Sequence, residues 1–190
     1  MLKNPDSLSP KWFPLLFLAL ITFMVCAHAF RDGTQTLVEN LLLVLLVLSS
    51  AITLSSQNKL RRLILALAAA FIMSRWAGNY YGSEAIKVLS LLLMVLYFTY
   101  IVAGVVQFLL KSRVVDRDVI LGCVAGYLLI GILISFTFAL LLEFDPGALS
   151  VPASEIDYSD ILYFTMISFT TIGYGDIAPV ASMARLLAYF

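Results

Sequence analysis

The sequence predicts an all-α membrane protein with five full transmembrane helices, a short re-entrant helix followed by an extended loop, and the start of a sixth transmembrane helix. Hydrophobic residues make up 62% of the 190 positions and charged residues 13%, whereas soluble domains are about 45–50% apolar and about 25% charged. The apolar residues also lie in long runs, and about 20 consecutive apolar residues suffice to cross a bilayer. Both observations favour a protein that crosses the membrane several times.

Five apolar runs are candidate spans. The third is the weakest, because its clean apolar stretch is short. The runs cover Trp12–Phe30, Leu37–Ser55, Leu60–Ala77, Glu84–Leu110 and Val119–Phe144. They divide the chain into an N-terminal segment (1–11), a four-helix transmembrane domain (12–110), a linker (111–118) and a C-terminal domain (119–190).

The basic residues predict the orientation. Eight of the twelve Lys and Arg residues fall in segments on the same side of the membrane as the N-terminus, and basic loops favour the cytoplasm. We therefore expect a plasma-membrane protein with a cytoplasmic N-terminus, a cytoplasmic linker and an outer segment at Glu143–Asp160. A competing hypothesis makes Ala27-His28-Ala29 the cleavage site of a signal peptide, which leaves the same orientation. The eight residues are Lys3, Lys11, Lys59, Arg61, Arg62, Lys111, Arg113 and Arg117.

The most informative motif is Thr171-Ile172-Gly173-Tyr174-Gly175-Asp176. A helix is predicted before it, from about Tyr158 to Thr170, with Asp157 or Ser159 as the N-cap. An extended backbone that points successive carbonyl groups to one axis needs conformations disallowed for residues with a Cβ, and the two glycines supply them. Such carbonyl oxygens can replace the hydration shell of a cation.

The stretch from Asp160 to Asp176 resembles the pore helix and selectivity filter of the tetrameric potassium-channel family, whose filter reads TVGYG. The resemblance implies a K⁺ channel with no cofactor, in which the ion is the permeant ligand. One filter strand cannot surround an ion, so a cyclic homotetramer in the lipid bilayer is expected, with no nucleic-acid partner. The implied K⁺ ligands are the carbonyls of Thr171, Ile172, Gly173 and Tyr174 and the Thr171 hydroxyl, with Gly175 completing the filter.

The resemblance also implies residues that support the filter, namely Tyr163, Phe164, Thr170 and Asp176. Many family members have two tryptophans where this chain has Tyr163 and Phe164. Some relatives carry an acid where this chain has Ile167, so that acid's bracing role does not transfer. We hypothesise that the Tyr163 hydroxyl bonds to Asp176 and braces the filter; simple aromatic packing is the alternative.

Acidic residues in the outer segment are predicted to concentrate cations at the mouth of the pore. An ordinary solvated loop is the alternative. The residues concerned are Glu155, Asp157 and Asp160.

A voltage sensor needs several Arg or Lys residues spaced through the membrane. Val88–Leu110 has none, so we expect weak voltage gating or none. Ala181–Phe190 is predicted to begin the sixth helix, but ten residues rise only about 15 Å, half of a hydrocarbon core of about 30 Å. We therefore expect the natural chain to continue beyond Phe190.

These patterns predict the pore-forming subunit of a potassium-selective channel. A weakly selective cation channel and a non-conducting accessory membrane subunit remain as alternatives. The sequence contains no His/Glu metal motif, no Ser/His pair within the membrane and no Gly-rich phosphate loop, so no enzyme is predicted.

Overall fold

The computed structural model describes residues 13–29, 43–50, 66–70, 72–74 and 84–189, and all regular secondary structure in these ranges is helical. The prediction of an all-α protein is confirmed for this part of the chain. Residues 43–50, 66–70 and 72–74 are helical segments. The helices with defined bounds are α1 (Phe13–Ala29), α2 (Glu84–Lys111), α3 (Arg117–Phe144), α4 (Tyr158–Phe169) and α5 (Ser182–Ala188).

Two of the described helices, α2 and α3, are long and apolar enough to cross a membrane, with 28 residues each. They correspond to the fourth and fifth predicted spans. Helix α1 has 17 residues and lies within the first predicted span, whose end residues Trp12 and Phe30 fall outside the described residues. The second and third predicted spans, Leu37–Ser55 and Leu60–Ala77, lie largely outside the described residues and stay predictions.

Helix α3 is the central element, because it contacts α1, α2, α4 and α5. Its N-terminus is capped by Asp116, whose carboxylate accepts a 2.9 Å hydrogen bond from the backbone N–H of Val119. Glycines let neighbouring helices approach it closely. A Cβ at Gly126 would lie 3.2 Å from Val105 of α2, and one at Gly131 would lie 2.7 Å from the Met166 methyl group of α4.

A column of stacked rings joins α2, α3 and α4. Phe136 of α3 is 1% exposed and stacks on Phe98 of α2 and on Tyr158 of α4, with centroid distances of 5.5 and 4.7 Å. The Tyr158 hydroxyl lies 2.9 Å from the Ser135 hydroxyl of α3. Each ring pair contributes about 0.5–1.5 kcal/mol beyond its buried area, so the column holds the first residue of α4 against the two long helices.

A buried polar contact joins α2 to the helical segment 43–50. The Tyr97 hydroxyl donates to the Val47 carbonyl at 2.8 Å and lies 2.7 Å from the Ser50 hydroxyl oxygen. Tyr97 and Ser50 are fully buried, and a buried hydroxyl is costly without such partners. We call α1, α2, α3 and segment 43–50 the helical frame.

Candidate functional site

Helix α4 begins with a reciprocal cap. The Asp157 carboxylate accepts from the Asp160 N–H at 3.0 Å, and the Asp160 carboxylate accepts from the Asp157 N–H at 3.1 Å. This capping box satisfies backbone donors that the first turn of a helix leaves free. The prediction of Asp157 as N-cap is confirmed, whereas Ser159, the alternative, is buried within the helix.

The capping box separates the three acids predicted for the outer mouth. Asp157 and Asp160 are half-buried, and both carboxylates are bound into the helix terminus. Both therefore have a structural role, which the sequence predicts for Asp157 but not for Asp160. Glu155 is exposed in the loop before the cap, where its N–H donates to the Pro152 carbonyl at 2.9 Å. Cation concentration by these acids stays a prediction, and Glu155 is the residue on which it can be tested most cleanly.

Helix α4 ends in hydrogen bonds that turn the chain out of the helix. Thr170 is the C-cap, and both its N–H and its hydroxyl donate to the Met166 carbonyl, at 2.9 and 2.6 Å. The N–H of Gly173 donates to the Ile167 carbonyl at 2.9 Å. Ile167, which cannot supply a bracing carboxylate, thus holds the following segment through its main chain.

The backbone of the predicted filter alternates in handedness. The φ angles of Thr171, Gly173 and Gly175 are 62°, 56° and 79°, whereas Ile172 and Tyr174 do not have positive φ. Glycine adopts positive φ freely, but a residue with a Cβ incurs a cost of about 1–2 kcal/mol. The strained conformation of Thr171 is of the kind that persists at functional sites, where the surroundings impose it.

The six residues Thr171–Asp176 are all exposed in the single chain. The side chains of Ile172 and Tyr174 are 56% and 72% exposed, and a Cβ added at Gly173 or Gly175 would meet no atom within 4 Å. The described part of this chain therefore supports the segment from its two ends and leaves its flanks open.

Two of the predicted support residues, Tyr163 and Phe164, make different kinds of contact. The Tyr163 hydroxyl donates to the Asp176 carboxylate at 2.9 Å, so the hypothesised contact is present, while its importance for the filter stays a prediction. Phe164 is 2% exposed and forms an edge-to-face pair with Phe138 of α3 at 5.1 Å, which anchors α4 to the frame.

Other contacts at the site could not be inferred from local sequence patterns. The Tyr127 hydroxyl of α3 donates to the Phe169 carbonyl at 3.2 Å, and the two rings lie 4.5 Å apart. These residues are 42 positions apart, and no motif links them. Together with Met166 above Gly131, they hold the C-terminal end of α4 on α3.

The loop between α3 and α4 holds the chain that follows Asp176. Ser150 donates its N–H to the Ala178 carbonyl at 2.8 Å, and the Ser150 hydroxyl accepts from the Ala178 N–H at 3.0 Å. The N–H of Val180 donates to the Ala148 carbonyl at 2.9 Å. Helix α5 then starts at Ser182, one residue after the predicted start; its predicted end, Phe190, lies outside the described residues.

Comparison with known proteins bears on the C-terminal part of the chain. Residues 123–190 match the model of a family described as "Ion channel". The chain is also 41% identical over 69 residues to TWiK family of potassium channels protein 18 of Caenorhabditis elegans. That alignment covers 36% of this chain and 13% of the relative's length, and no solved structure is a significant match. Together with the apolar helices, these similarities support an ion channel in a membrane.

Proposed function

We propose that the chain is the pore-forming subunit of a potassium-selective channel. The alternating φ of Thr171–Gly175, directly after a helix of 12 residues, carries the proposal. Carbonyl groups point in opposite directions along an ordinary strand, whereas alternating handedness can turn them all to one side. A row of such oxygens replaces the hydration shell of K⁺. The match to a relative named as a potassium channel adds support.

In the proposed pore, K⁺ ions bind the carbonyls of Thr171, Ile172, Gly173 and Tyr174, and the Thr171 hydroxyl at the inner end. Helix α4 spans about 18 Å, which is too short to cross the membrane. Its C-terminus would therefore lie within the membrane, where the negative end of the helix dipole favours a cation. Irregular backbone at this depth is tolerated because it lines an aqueous path. The ion is the permeant ligand, and no cofactor is needed.

Four copies would complete the site. The exposed side chains of Ile172 and Tyr174 would then be covered by neighbouring subunits, and the remaining apolar surface by subunits or lipid. In this arrangement each subunit has five full spans and the start of a sixth. The subunit lies in the plasma membrane, and its N-terminus is cytoplasmic. The capping box and the loop to Ala178 would face outward.

We infer that α2 is not a strong voltage sensor. Its one charge between the two terminal residues is Lys87, which forms a 2.5 Å ion pair with Glu143 of α3. One paired charge near a helix end moves too little charge through the membrane to make opening steeply voltage-dependent. A steep conductance–voltage curve that flattens in Lys87→Gln would contradict this.

Potassium flux through the full chain in liposomes tests the proposal. We expect a barium-sensitive K⁺ flux that Gly173→Ala abolishes, because the added Cβ is strained at a φ of +56°. Gly147→Ala is the matched control: its Cβ would make only an ordinary contact at 3.8 Å with Asp145. Equal flux in the two variants would contradict the assignment of Gly173 to the filter.

Two further measurements distinguish the alternatives. Reversal potentials in mixed K⁺ and Na⁺ should lie near the K⁺ equilibrium potential, and values between the two equilibrium potentials would indicate a weakly selective cation channel. Chemical cross-linking in the membrane should capture species up to a tetramer. A correctly inserted tetramer without flux would instead indicate an accessory subunit.

A further inference from the structure

The last carbonyl groups of α4 are hydrogen-bonded to donors outside the helix. The final carbonyls of any α-helix lack an intrahelical donor. In α4 the Ser168 carbonyl accepts from the Thr171 N–H at 3.0 Å, and the Ile167 carbonyl accepts from the Gly173 N–H at 2.9 Å. Both donors belong to the predicted filter segment, so these two bonds shape the turn without connecting it to another helix.

The Phe169 carbonyl differs, because its donor belongs to another helix. The Tyr127 hydroxyl of α3 donates to it at 3.2 Å. The two rings lie 4.5 Å apart, with their planes inclined by 31°. Phe169 is the last residue of α4, and its carbonyl belongs to the peptide group that leads into the C-cap, Thr170. Tyr127 therefore connects the exit of α4 directly to α3.

The part of α3 that carries Tyr127 is firmly packed. The nearby side chains of Ala125 and Leu129 are fully buried. One turn after Tyr127, Gly131 lies so close to Met166 of α4 that an added Cβ would be 2.7 Å from its methyl group. Interiors packed in this way yield little to side-chain displacement, so the Tyr127 phenol is a fixed point relative to the end of α4.

Thr171 needs such an external constraint. It follows Phe169 by two residues and has a φ of 62°, which is a genuine outlier for a β-branched residue. Conformations of this kind persist only where the surrounding structure imposes them. The bond from the Thr171 N–H to Ser168 acts on one side of Thr170, and the bond from Tyr127 to Phe169 acts on the other. Together they fix the direction in which the chain enters Thr171.

We propose that Tyr127 is the positioning residue for the inner end of the filter. By holding the Phe169 carbonyl, it keeps the carbonyl and the hydroxyl of Thr171 where they bind K⁺. This inference rests on the proposed function, in which those two oxygens form the innermost K⁺ site. Tyr127 contributes no oxygen to the ion, so loss of its hydroxyl should weaken K⁺ binding without removing a ligand.

Calorimetric titration of the full chain in lipid nanodiscs with K⁺, in N-methylglucamine buffer, tests the proposal. Tyr127→Phe removes the hydroxyl and keeps the ring that packs on Phe169. We expect the K⁺ dissociation constant to rise about fivefold, which corresponds to about 1 kcal/mol, the usual net contribution of one hydrogen bond. Tyr100→Phe, which removes a phenol hydroxyl from α2, is the matched control and should leave the constant unchanged. An unchanged constant in Tyr127→Phe would overturn the proposal.

A second background shows whether Tyr127 acts through Thr171. Thr171→Gly makes positive φ accessible without strain and leaves the backbone carbonyls of the filter in place. In this background Tyr127→Phe should have little effect on K⁺ affinity, because the conformation no longer has to be imposed. A general loss of stability would weaken binding in both backgrounds. An equal effect of Tyr127→Phe in the two backgrounds would therefore overturn the positioning role.

The titration separates this inference from the proposed function. A wild-type chain that binds no K⁺ would overturn both. Binding of K⁺ by the wild type, with the same affinity in Tyr127→Phe, would overturn the role of Tyr127 alone and leave the filter assignment intact. Thermal unfolding of each variant in the same nanodiscs shows whether the fold is retained.

Discussion

The helical frame and the predicted filter segment, Thr171–Asp176, are built in opposite ways. In the frame, apolar side chains are buried against one another, as in the Phe98–Phe136 stack, and the backbone is ordinary helix. In Thr171–Asp176 all six residues are exposed and three adopt positive φ. The frame is stabilised within one chain, whereas the predicted filter segment is held by hydrogen bonds in its first half, at Thr171 and Gly173, and at its last residue, Asp176.

Because of this difference, we expect substitutions in the frame to affect stability and substitutions in the predicted filter segment to affect conduction. Removing a buried side chain from the frame should lower the free energy of unfolding, because the cavity left behind loses packing contacts. Changing the filter segment should alter conduction with little effect on unfolding, because its side chains make few contacts within the chain. Three experiments test the comparison, and the main substitution of each is ordered from the largest expected effect on stability to the smallest.

Phe136→Ala should lower the free energy of unfolding by about 3 kcal/mol, the lower part of the range for buried Phe→Ala substitutions. The substitution removes the ring that lies between Phe98 and Tyr158. Denaturant unfolding in detergent micelles measures the change. Leu96→Ala on α2, where the side chain is 60% exposed, is the control and should change stability much less. Similar losses in the two variants would contradict the role of the column.

Tyr163→Phe removes the hydroxyl that donates to Asp176 and keeps the ring. We expect little change in unfolding but a change in single-channel conductance or in the rate of inactivation, because the far end of the filter loses a hydrogen bond. Tyr100→Phe on α2 controls for loss of a phenol elsewhere. In an Asp176→Asn background the effect of Tyr163→Phe should shrink. Unaltered conductance and inactivation would favour simple aromatic packing at Tyr163.

Glu155→Gln should reduce K⁺ conductance at low salt and leave stability unchanged, because its exposed carboxylate attracts cations over a long screening length. The reduction should disappear near 1 M salt, where the Debye length is about 3 Å. Asp157→Ala should in addition cost about 1 kcal/mol of stability through loss of the cap. Asp118→Asn, at the opposite end of α3, is the control. A conductance unaffected by Glu155→Gln at low salt would favour an ordinary solvated loop.

The features that sequence reasoning predicted well are local ones. The bounds of α4, its N-cap at Asp157 and the positive φ at Gly173 and Gly175 follow from side-chain chemistry within a few residues of each position. The Tyr163–Asp176 contact joins residues 13 apart and was suggested by the family resemblance. The hydrogen bond from the Asp157 N–H to the Asp160 carboxylate is also local, but it was not predicted. Asp160, three residues after the N-cap, was assigned to the pore mouth instead.

By itself, the sequence determined that the described chain is helical, that α2 and α3 are long and apolar enough for a membrane, and where the glycine-containing segment Thr171–Asp176 with its positive φ angles lies. Composition and short-range backbone preferences are sufficient for these features. Only the tertiary structure decided that Lys87 pairs with Glu143, that Tyr127 meets Phe169, and that α2, α3, α4 and the loop before α4 line one cavity. These depend on how helices distant in sequence pack, and side-chain patterns along one helix do not specify which residues of another helix they will meet.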